Sequence, residues 1–192
     1  MTDDVPEVVP VVDSLAPRLL VSMPQLNDPN FKQSVVLLCE HSPAGAFGLI
    51  VNRPTDTPAA SAVHLEPPVI DASPLPLWAG GPVEPHRGWI LLGEPPEDGD
   101  SMEVCQGVYL STSPVLLRRL LEAASPRRAR LLNGYAGWGP GQLDAELAAS
   151  AWLTSEIETD LIFETDASVM WESAIRRLGA DPALLHVSHG VH

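Results

Sequence analysis

The chain has 192 residues, of which 45% are hydrophobic, and a formal net charge of −14 at pH 7. This length suits one domain with a sizeable core, and the negative charge disfavours direct binding to nucleic acid or to anionic membranes because like charges repel. The apolar runs at residues 35–39 and 47–51 are far shorter than the ~18 residues that a membrane-spanning helix needs. Since the acidic N-terminus also lacks the basic and apolar regions of a secretory signal, we expect a soluble protein.

The first 17 residues hold four acidic residues, three prolines and no basic residue. Such a composition is typical of a flexible tail, and we predict that an acidic tail at residues 1–17 precedes a single domain at residues 18–192. The two cysteines, Cys39 and Cys105, do not form a C-x-x-C pattern. We therefore expect two buried, reduced thiols instead of a disulfide or a redox pair.

The first third of the chain predicts strands and turns. Residues 19–23 and 35–39 are apolar runs typical of buried strands, and Asp28-Pro29 between them is typical of a short helical turn. A glycine turn then leads to the next apolar run, which predicts a β-hairpin with a loop of about five residues. Residues 54–76 are rich in proline, alanine and serine and predict a peripheral segment with one short helix.

The middle of the chain alternates short strands with loops. We predict strands at residues 77–79, 88–92 and 107–110, with a solvated acidic loop at residues 94–103. Ser113 precedes a proline and an apolar helical pattern, so we place the start of a helix there.

A glycine-rich segment at residues 134–141 follows an apolar run that ends at Asn133. Glycine allows backbone conformations that a β-carbon forbids, so we predict a tight corner between a strand and a helix. Gly139 suits the helix N-cap and Gln142 can reach back to it, which predicts a helix at residues 140–150.

The last part of the chain predicts one more strand and one more helix. Residues 160–164 read as a strand, and Asp166 caps a helix that ends at Gly179. Adjacent strands with interspersed helices indicate an α+β fold and not a regular βαβ succession.

Polar residues at the ends of predicted strands form the first candidate binding surface, because binding and catalytic groups gather at such positions. Histidine beside a carboxylate is the minimum for acid-base catalysis, and arginine can hold an anion. The same residues also suit turn-stabilising hydrogen bonds and ion pairs, and no nucleophile or metal-binding motif accompanies them. The candidates are Asp28, Glu40, His41, Asn52, Arg53 and Arg87.

The glycine-rich loop is the second candidate, because free amides at a helix N-terminus attract anions. Gly137, Gly139 and Gln142 supply these amides. The loop lacks the lysine and the Ser or Thr of a P-loop, and Asp144 and Glu146 would repel a phosphate. The alternative interpretation is a structural corner packed with aromatic side chains.

Five of the eleven basic residues cluster between positions 118 and 130. They suit a solvated helix face, a docking surface for an acidic protein partner or a nucleic-acid patch. A helix-turn-helix motif needs a second helix after a short turn, whereas this segment leads into the glycine-rich corner, so direct nucleic-acid binding is the least favoured. The cluster consists of Arg118, Arg119, Arg127, Arg128 and Arg130.

Several longer motifs occur together in this chain. They are L-L-V-S-M-P-Q-L-N-D-P-N-F at residues 19–31, S-V-V-L-L-C-E-H at 34–41, G-A-F-G-L-I-V-N-R-P at 45–54, G-G-P-V-E-P-H-R-G at 80–88, G-Y-A-G-W-G-P-G-Q-L-D-A-E-L at 134–147 and D-A-S-V-M-W-E-S-A at 166–174. In this order they resemble the YqgE/AlgH family of bacterial proteins, from about residue 19 to the C-terminus.

The resemblance implies a bifurcated mixed sheet with a barrel-like core surrounded by helices, a cytoplasmic setting and no established biochemical activity. The family name includes a transcriptional regulator of polysaccharide synthesis, which describes a phenotype and not a mechanism. The chain departs from the family pattern at Gly93-Glu94, where a histidine is expected after the W-I-L-L strand. No role of that histidine therefore carries over.

These observations favour a non-enzymatic interaction or regulatory protein that acts through an unknown protein partner and affects transcription indirectly. The hypothesis assigns no catalytic residue, no cofactor and no metal ion; three histidines at positions 186, 189 and 192 are only a weak metal signal, since no cysteine or carboxylate lies beside them. The alternative is a small-molecule, nucleotide or anion-binding protein, including an enzyme, that uses the strand-end residues or the glycine-rich loop. The sequence leaves the oligomeric state open.

Overall fold

The computed structural model describes residues 14–97, 99–123 and 128–187. Within these residues the chain forms ten strands, five α-helices and one 3-10 turn at Ala59–Ser61. The strands are β1 (Arg18–Ser22), β2 (Val35–Ser42), β3 (Gly45–Ile50), β4 (Pro54–Pro58), β5 (Pro76–Ala79), β6 (Val83–Leu92), β7 (Met102–Cys105), β8 (Val108–Ser111), β9 (Ala129–Trp138) and β10 (Trp152–Ser155). The helices are α1 (Pro114–Glu122), α2 (Gln142–Ala148), α3 (Thr159–Phe163), α4 (Ala167–Arg177) and α5 (Pro182–Val187).

One curled sheet connects all ten strands. Its main path runs β10-β1-β2-β3-β9-β6-β8-β7, and β5 pairs with both β4 and β9. The pairs along the main path are antiparallel, whereas β5 runs parallel to β9 with Leu77 opposite Leu131. The predicted α+β class, with a bifurcated mixed sheet and a barrel-like core, is confirmed.

Strand β9 is the point where the sheet divides. Residues 129–133 pair with β5 and β6 and Tyr135 pairs with Val83 of β6, whereas the last residues, from Ala136 to Trp138, pair with β3. Gly134 lies in the middle of the strand with a φ of 68°, and a β-carbon there would lie 2.2 Å from the carbonyl oxygen of Gly81. The prediction that the strand ends at Asn133 is therefore wrong, because the glycines bend the strand instead of ending it.

Three apolar clusters fill the two faces of the sheet, and we name each after the helix that covers it. Strand β2 contributes to two of them, because Val35 and Leu37 face the α4 cluster while Val36 and Leu38 face the α2 cluster. The α1 cluster covers β6 and β9 on the other half of the sheet. The prediction that residues 35–39 form a buried strand is confirmed, with both faces covered and Cys39 half-buried.

The helix ends follow local sequence signals in two cases. The Ser113 hydroxyl accepts a hydrogen bond from the Leu116 amide at the start of α1, and the Asp166 carboxylate accepts one from the Ser168 amide at the start of α4. Helix α4 is followed by Gly179 in the left-handed conformation, with a φ of 79°. Both predicted helix starts are confirmed. Helix α2 differs, since its N-cap is Gly141 and it spans only Gln142–Ala148.

Residues 160–164 lie mostly in helix α3, so the predicted strand is wrong. The run Leu161-Ile162-Phe163 is too short for its periodicity to separate a strand from a helix. Tertiary packing decides, because Leu161 and Ile162 are buried in the α4 cluster and the Asp160 carboxylate binds Arg177 of α4.

Other elements depart from the prediction in length and position. Strands β2 and β3 are joined by residues 43 and 44 alone, where about five loop residues were expected. Strand β7 occupies the end of the predicted acidic loop, and β4 extends into the segment at 54–76. Residues 1–13 of the predicted tail lie outside the described residues, as do His189 and His192.

Candidate functional site

The nine residues of the predicted binding surface lie in two regions, one at each end of strand β2. Asp28, Asn52 and Arg53 surround the turn before β2. Gly137, Gly139 and Gln142 lie at the junction of β9 and α2. Glu40 and His41 lie beside this junction, because Glu40 pairs with Phe47 and Phe47 pairs with Gly137. Glu40 lines both the cleft beside His41 and the cleft beside Arg87.

Asn52 and Arg53 hold the turn that precedes β2. The Asn52 side chain accepts a hydrogen bond from the Val35 amide at 2.9 Å and donates one to the Gln33 carbonyl at 2.9 Å. Arg53 donates to the Lys32 carbonyl at 2.8 Å, and burial lowers the pKa of its guanidinium, partly opposed by Asp28. These side chains border a cleft of about 490 Å³, but their polar atoms bind backbone groups, which fits the turn-stabilising interpretation.

His41 connects three parts of the chain. Its Nδ1 accepts a hydrogen bond from the Leu15 amide at 3.1 Å, and its Nε2 lies 3.3 Å from a carboxylate oxygen of Asp144 on α2. Since Nδ1 accepts, the ring proton is on Nε2 and is donated to Asp144. The His41 side chain is only 5% exposed, so both ring nitrogens are directed at protein groups.

The amides of the glycine-rich loop are partly used within the loop itself. The Gly139 amide donates to Gln142 Oε1 at 3.1 Å, which is the predicted reach back to the cap. Gln142 Nε2 in turn donates to Glu146 Oε1 at 3.0 Å. The other carboxylate oxygen of Glu146 accepts from the indole nitrogens of Trp138 at 2.9 Å and Trp152 at 2.8 Å. This junction matches the structural corner described above as the alternative interpretation.

A cleft of about 710 Å³ brings together Glu40 and Arg87 with three aromatic rings. We call it the aromatic cleft. The centroid of the Phe47 ring lies 5.0 Å from that of Trp89 and 5.2 Å from that of Tyr135. Residues 99–102 and the strand β8 residues Leu110 and Ser111 complete its walls.

An excursion of strand β6 shapes this cleft. Val83 pairs with Tyr135 and Gly88 pairs with Asn133, so residues 84–87 of β6 lie opposite Gly134 alone. Glu84 adopts a φ of 44° in this excursion, a conformation that non-glycine residues rarely take outside functional or tightly constrained positions. Asn133 Nδ2 donates to the Pro85 carbonyl at 2.9 Å and holds the excursion in place.

Arg87 lies over the Trp89 ring with its guanidinium carbon 4.5 Å from the centroid. The Glu84 carboxylate is 3.4 Å from Arg87 and also accepts a hydrogen bond from the Tyr135 hydroxyl, which raises the pKa of Tyr135. The Arg87 side chain remains 51% exposed. Trp89 is buried, and among the described residues its indole N–H has no hydrogen-bond partner.

The arginine cluster does not form one surface. Arg130 is buried, donates to the carbonyls of Val51 and Ile162, and lies 3.9 Å from the centroid of Trp78. Burial lowers the pKa of Arg130 to about 10. Arg118 donates to the Pro67 carbonyl at 2.5 Å, and Arg127 lies outside the described residues.

Both cysteines are free and half-buried. Burial raises the pKa of the Cys39 thiol to about 12, so it is a poor nucleophile at neutral pH. In the part of the chain that the structure describes, no group of three or more His, Cys, Asp or Glu residues is placed to hold a metal ion, and no helix is long and apolar enough to span a membrane.

The aromatic members of the cleft were absent from the predicted surface. Phe47, Trp89 and Tyr135 lie on three different strands. In the sequence, each of them is indistinguishable from an aromatic residue of the core. The signal that could have found them is the E-P-H-R segment at residues 84–87, since a proline and three polar residues inside a strand pattern indicate an excursion.

A curled, mainly antiparallel sheet with helices packed on its faces is an arrangement shared with solved structures. The solution structure of AlgH from Pseudomonas aeruginosa matches with a TM-score of 0.74 at 31% identity, covering 100% of both chains. A crystal structure of a Corynebacterium diphtheriae protein matches with a TM-score of 0.68 over 88% of this chain and 90% of that chain. At 20% identity this second similarity concerns the fold alone.

Sequence comparison identifies the family. The AlgH-like family model matches residues 19–183. A UPF0301 protein of Paracoccus denitrificans is 38% identical over 186 residues, covering 92% of this chain and 96% of the relative. A UPF0301 protein of Myxococcus xanthus is 39% identical over 181 residues, covering 93% and 99%. The chain belongs to the AlgH-like family.

Proposed function

We propose that this protein is a non-enzymatic interaction and regulatory protein that binds a basic segment of a protein partner in the aromatic cleft. The observation that carries the proposal is the placement of the Phe47 and Tyr135 rings beside the carboxylates of Glu40 and Asp100 in one open cleft. Aromatic faces and carboxylates together bind lysine and arginine side chains, because the ring face and the carboxylate both attract a cation.

The charge of the protein supports a basic partner. With a net charge of −14, the molecule attracts cationic segments over long range and repels nucleic acid. Within the cleft, Arg87 pairs with Glu84 at 3.4 Å, and no cation among the described residues forms an ion pair with Glu40 or Asp100. Arg87 and Trp89 also illustrate the expected contact, with the guanidinium carbon 4.5 Å from the ring centroid.

The histidine that suited acid-base catalysis in the sequence has another role in the structure. His41 binds Leu15 and Asp144 through its two ring nitrogens. This observation supports binding over catalysis. Transcriptional regulation, which the family resemblance implies, then acts indirectly through the protein partner, and a cytoplasmic setting belongs to the same proposal.

The test is an NMR titration of the ¹⁵N-labelled protein with N-acetylated tetra-arginine amide and with the matching tetra-glutamate peptide. The indole signal of Trp89, assigned with Trp89→Phe, reports on the cleft. We expect the signal to shift with tetra-arginine alone. Glu40→Gln and Asp100→Asn should each weaken binding by about three- to tenfold, the range for one ordinary hydrogen bond.

Glu164→Gln is the matched control. Glu164 is exposed and lies outside the cleft, so this variant changes the net charge equally without touching the walls. Equal weakening by Glu164→Gln would assign the effect to the overall charge and contradict a specific site. Equal binding of tetra-glutamate would contradict the proposed basic partner.

A small anionic ligand is the second candidate, and one observation favours it. The buried indole N–H of Trp89 has no partner among the described residues, and it would be satisfied by an acceptor atom of a ligand that Arg87 also binds. A thermal-shift screen of nucleotides and phosphorylated metabolites tests this, since a ligand at 100 times its Kd stabilises the folded state by about 2.7 kcal/mol. Arg87→Ala should abolish such a hit but leave or strengthen tetra-arginine binding.

A further inference from the structure

We propose that a second cavity, between β6, β9 and the start of α1, binds a small and mainly apolar molecule that carries an N–H or O–H donor. Most of this apolar cavity lies on the face of β6 opposite the aromatic cleft, since Ile90 belongs to the α1 cluster and Trp89 to the α4 cluster, but Trp89 and Thr112 line both cavities. The proposal rests on Asn133 and Gly88, which do not line the aromatic cleft, and so it is independent of the function proposed there.

The size and lining of the apolar cavity suit a small molecule. Its volume is about 670 Å³, within the range of about 300–1,000 Å³ that is typical of small-molecule sites. Such sites combine apolar walls with a few polar groups that orient the ligand. The apolar wall consists of Val63, Leu65, Leu77, Ile90, Leu117 and Leu131.

Asn133 supplies the polar group on which the proposal rests, among lining residues that also include His64, His86 and Ser113. Its Nδ2 donates to the Pro85 carbonyl at 2.9 Å, which fixes the orientation of the side-chain amide. The other end of the amide, Oδ1, is buried and has no hydrogen-bond partner among the residues that the structure describes. A buried carbonyl oxygen without a donor is costly, and Asn133 lines the apolar cavity. A ligand that donates a hydrogen bond to Oδ1 removes this cost.

Gly88 supplies the space above Asn133. The two residues are directly opposite each other in the pairing of β6 with β9. Side chains alternate along a strand, so a side chain at position 88 would lie on the same face as Ile90, inside the apolar cavity. A β-carbon built on Gly88 would meet no atom within 4 Å, and its φ lies outside the left-handed region. The backbone does not require glycine here, whereas an open cavity does.

The experiment compares 2-naphthol with 2-methoxynaphthalene by ¹⁵N NMR titration of the full chain. The two probes share one apolar ring system, but only the naphthol carries an O–H donor. In the unmodified protein we expect the naphthol to bind about fivefold more tightly, the value of one ordinary hydrogen bond, with the largest shifts at Asn133 and Gly88. Asn133→Ala should remove the difference between the probes.

Gly88→Val tests the site without removing any contact. Valine fills the space over Asn133 and suits a strand, so we expect both probes to lose at least tenfold in affinity while the protein stays folded. Gly139→Val is the matched control, because a β-carbon there meets only Gln142 Oε1 at 3.9 Å and the position lies outside the apolar cavity. It should leave the binding of both probes unchanged.

Three results would overturn the proposal. Failure of both probes to bind would show that the apolar cavity does not admit this class of ligand. Equal affinity of the two probes in the unmodified protein would show that Asn133 Oδ1 does not select a donor. Binding that survives Gly88→Val would place the probes elsewhere. Because Gly88→Val removes no hydrogen bond, the second and third results do not depend on the stability of Asn133→Ala.

Discussion

Arg130 and Arg87 both lie over a tryptophan ring, but their surroundings differ. Arg130 is 6% exposed, with its guanidinium carbon 3.9 Å from the centroid of Trp78, and it donates to the carbonyls of Val51 and Ile162. Arg87 has a side chain that is 51% exposed, lies 4.5 Å from the centroid of Trp89, and contacts a single carboxylate at 3.4 Å.

The difference separates an architectural arginine from one available for recognition. Arg130 connects the end of β3 to α3 through two backbone carbonyls that no water can reach, so its bonds are part of the fold. Arg87 lies on an excursion of β6 and keeps half of its surface in water, where ion pairs contribute little to stability. Two arginines that each lie over a tryptophan ring therefore differ in the expected effect of mutation on stability, which is large for Arg130 and small for Arg87.

The largest expected effect is that of Arg130→Ala. This change leaves the carbonyls of Val51 and Ile162 buried without a donor and removes the contact with Trp78. We expect the free energy of unfolding to fall by about 3–5 kcal/mol, measured by urea denaturation. Arg119→Ala is the control, because Arg119 is exposed on α1 and should change stability by less than about 0.5 kcal/mol. Similar losses in the two variants would remove the distinction between buried and exposed arginines.

Glu146→Ala extends the contrast to carboxylates, because Glu146 is half-buried and hydrogen-bonded whereas Glu40 is exposed. The Glu146 carboxylate accepts from the indoles of Trp138 and Trp152. Its removal should cost about 2–4 kcal/mol, since two donors lose a charged acceptor, and should change the near-ultraviolet circular dichroism of the tryptophans. Glu40→Ala should change stability by less than about 0.5 kcal/mol. A larger loss of stability in Glu40→Ala than in Glu146→Ala would contradict the structural role of Glu146.

Arg87→Ala should have a small effect on stability and a clear one on the aromatic cleft. The cation–π contact at a half-exposed site is worth about 0.5–1 kcal/mol, and the pair with Glu84 adds little. We expect the free energy of unfolding, measured by urea denaturation, to fall by no more than this amount. The chemical shift of the Trp89 indole signal should change. A loss comparable to that of Arg130→Ala would place Arg87 among the architectural residues.

The smallest expected effect concerns the pH dependence of the ion pair between Asp160 and Arg177. Hydrogen bonds from Arg177 lower the pKa of Asp160 in the folded state, so its stabilising contribution is present above the unfolded pKa of about 3.9 and is lost as pH falls through the lower folded value. Because the Asp160 side chain is 51% exposed, Asp160→Asn should cost only about 0.5 kcal/mol at pH 7.

Urea denaturation between pH 7 and pH 3 tests this prediction. The difference in stability between Asp160→Asn and the unmodified protein should narrow as the pH falls below 4, because the Asp160 carboxylate then takes up its proton. Asp56→Asn, at an exposed position on β4, is the control. Its stability should show the same dependence on pH as that of the unmodified protein. A difference that stays constant with pH would show that the ion pair is not its source.

Local signals predicted much of the secondary structure. Ser113 and Pro114 mark the start of α1, Asp166 marks the start of α4, and Gly179 marks its end. Each signal depends on contacts within one or two turns of the helix. The strand predicted at residues 160–164 was wrong because the conformation of this segment depends on Arg177, a residue of another helix. The glycine-rich segment was predicted as a corner, but its conformation depends on Gly81, which approaches Gly134 from a distant part of the chain.

The candidate residues show the same limit. The sequence indicated Glu40, Arg53 and Arg87 as polar strand ends, but not that Arg53 would bind the Lys32 carbonyl while Arg87 stays open. Whether a side chain binds backbone or solvent depends on which carbonyls face it, and local pattern carries no such information. Phe47, Trp89 and Tyr135 were missed for a related reason, since three core-like residues form a cleft only when their strands are adjacent.

The sequence by itself determined the family, the α+β class, the apolar strands and the capped helices, because each depends on motifs or on interactions between residues close in the chain. Tertiary structure alone decided the division of the sheet at Gly134, the burial of Arg130 and the two cavities on either side of β6. The physical reason is the register of distant strands. Pairing Val83 with Tyr135 and Gly88 with Asn133 expels residues 84–87 from the sheet, and that excursion places Arg87 in the aromatic cleft and Pro85 beside Asn133.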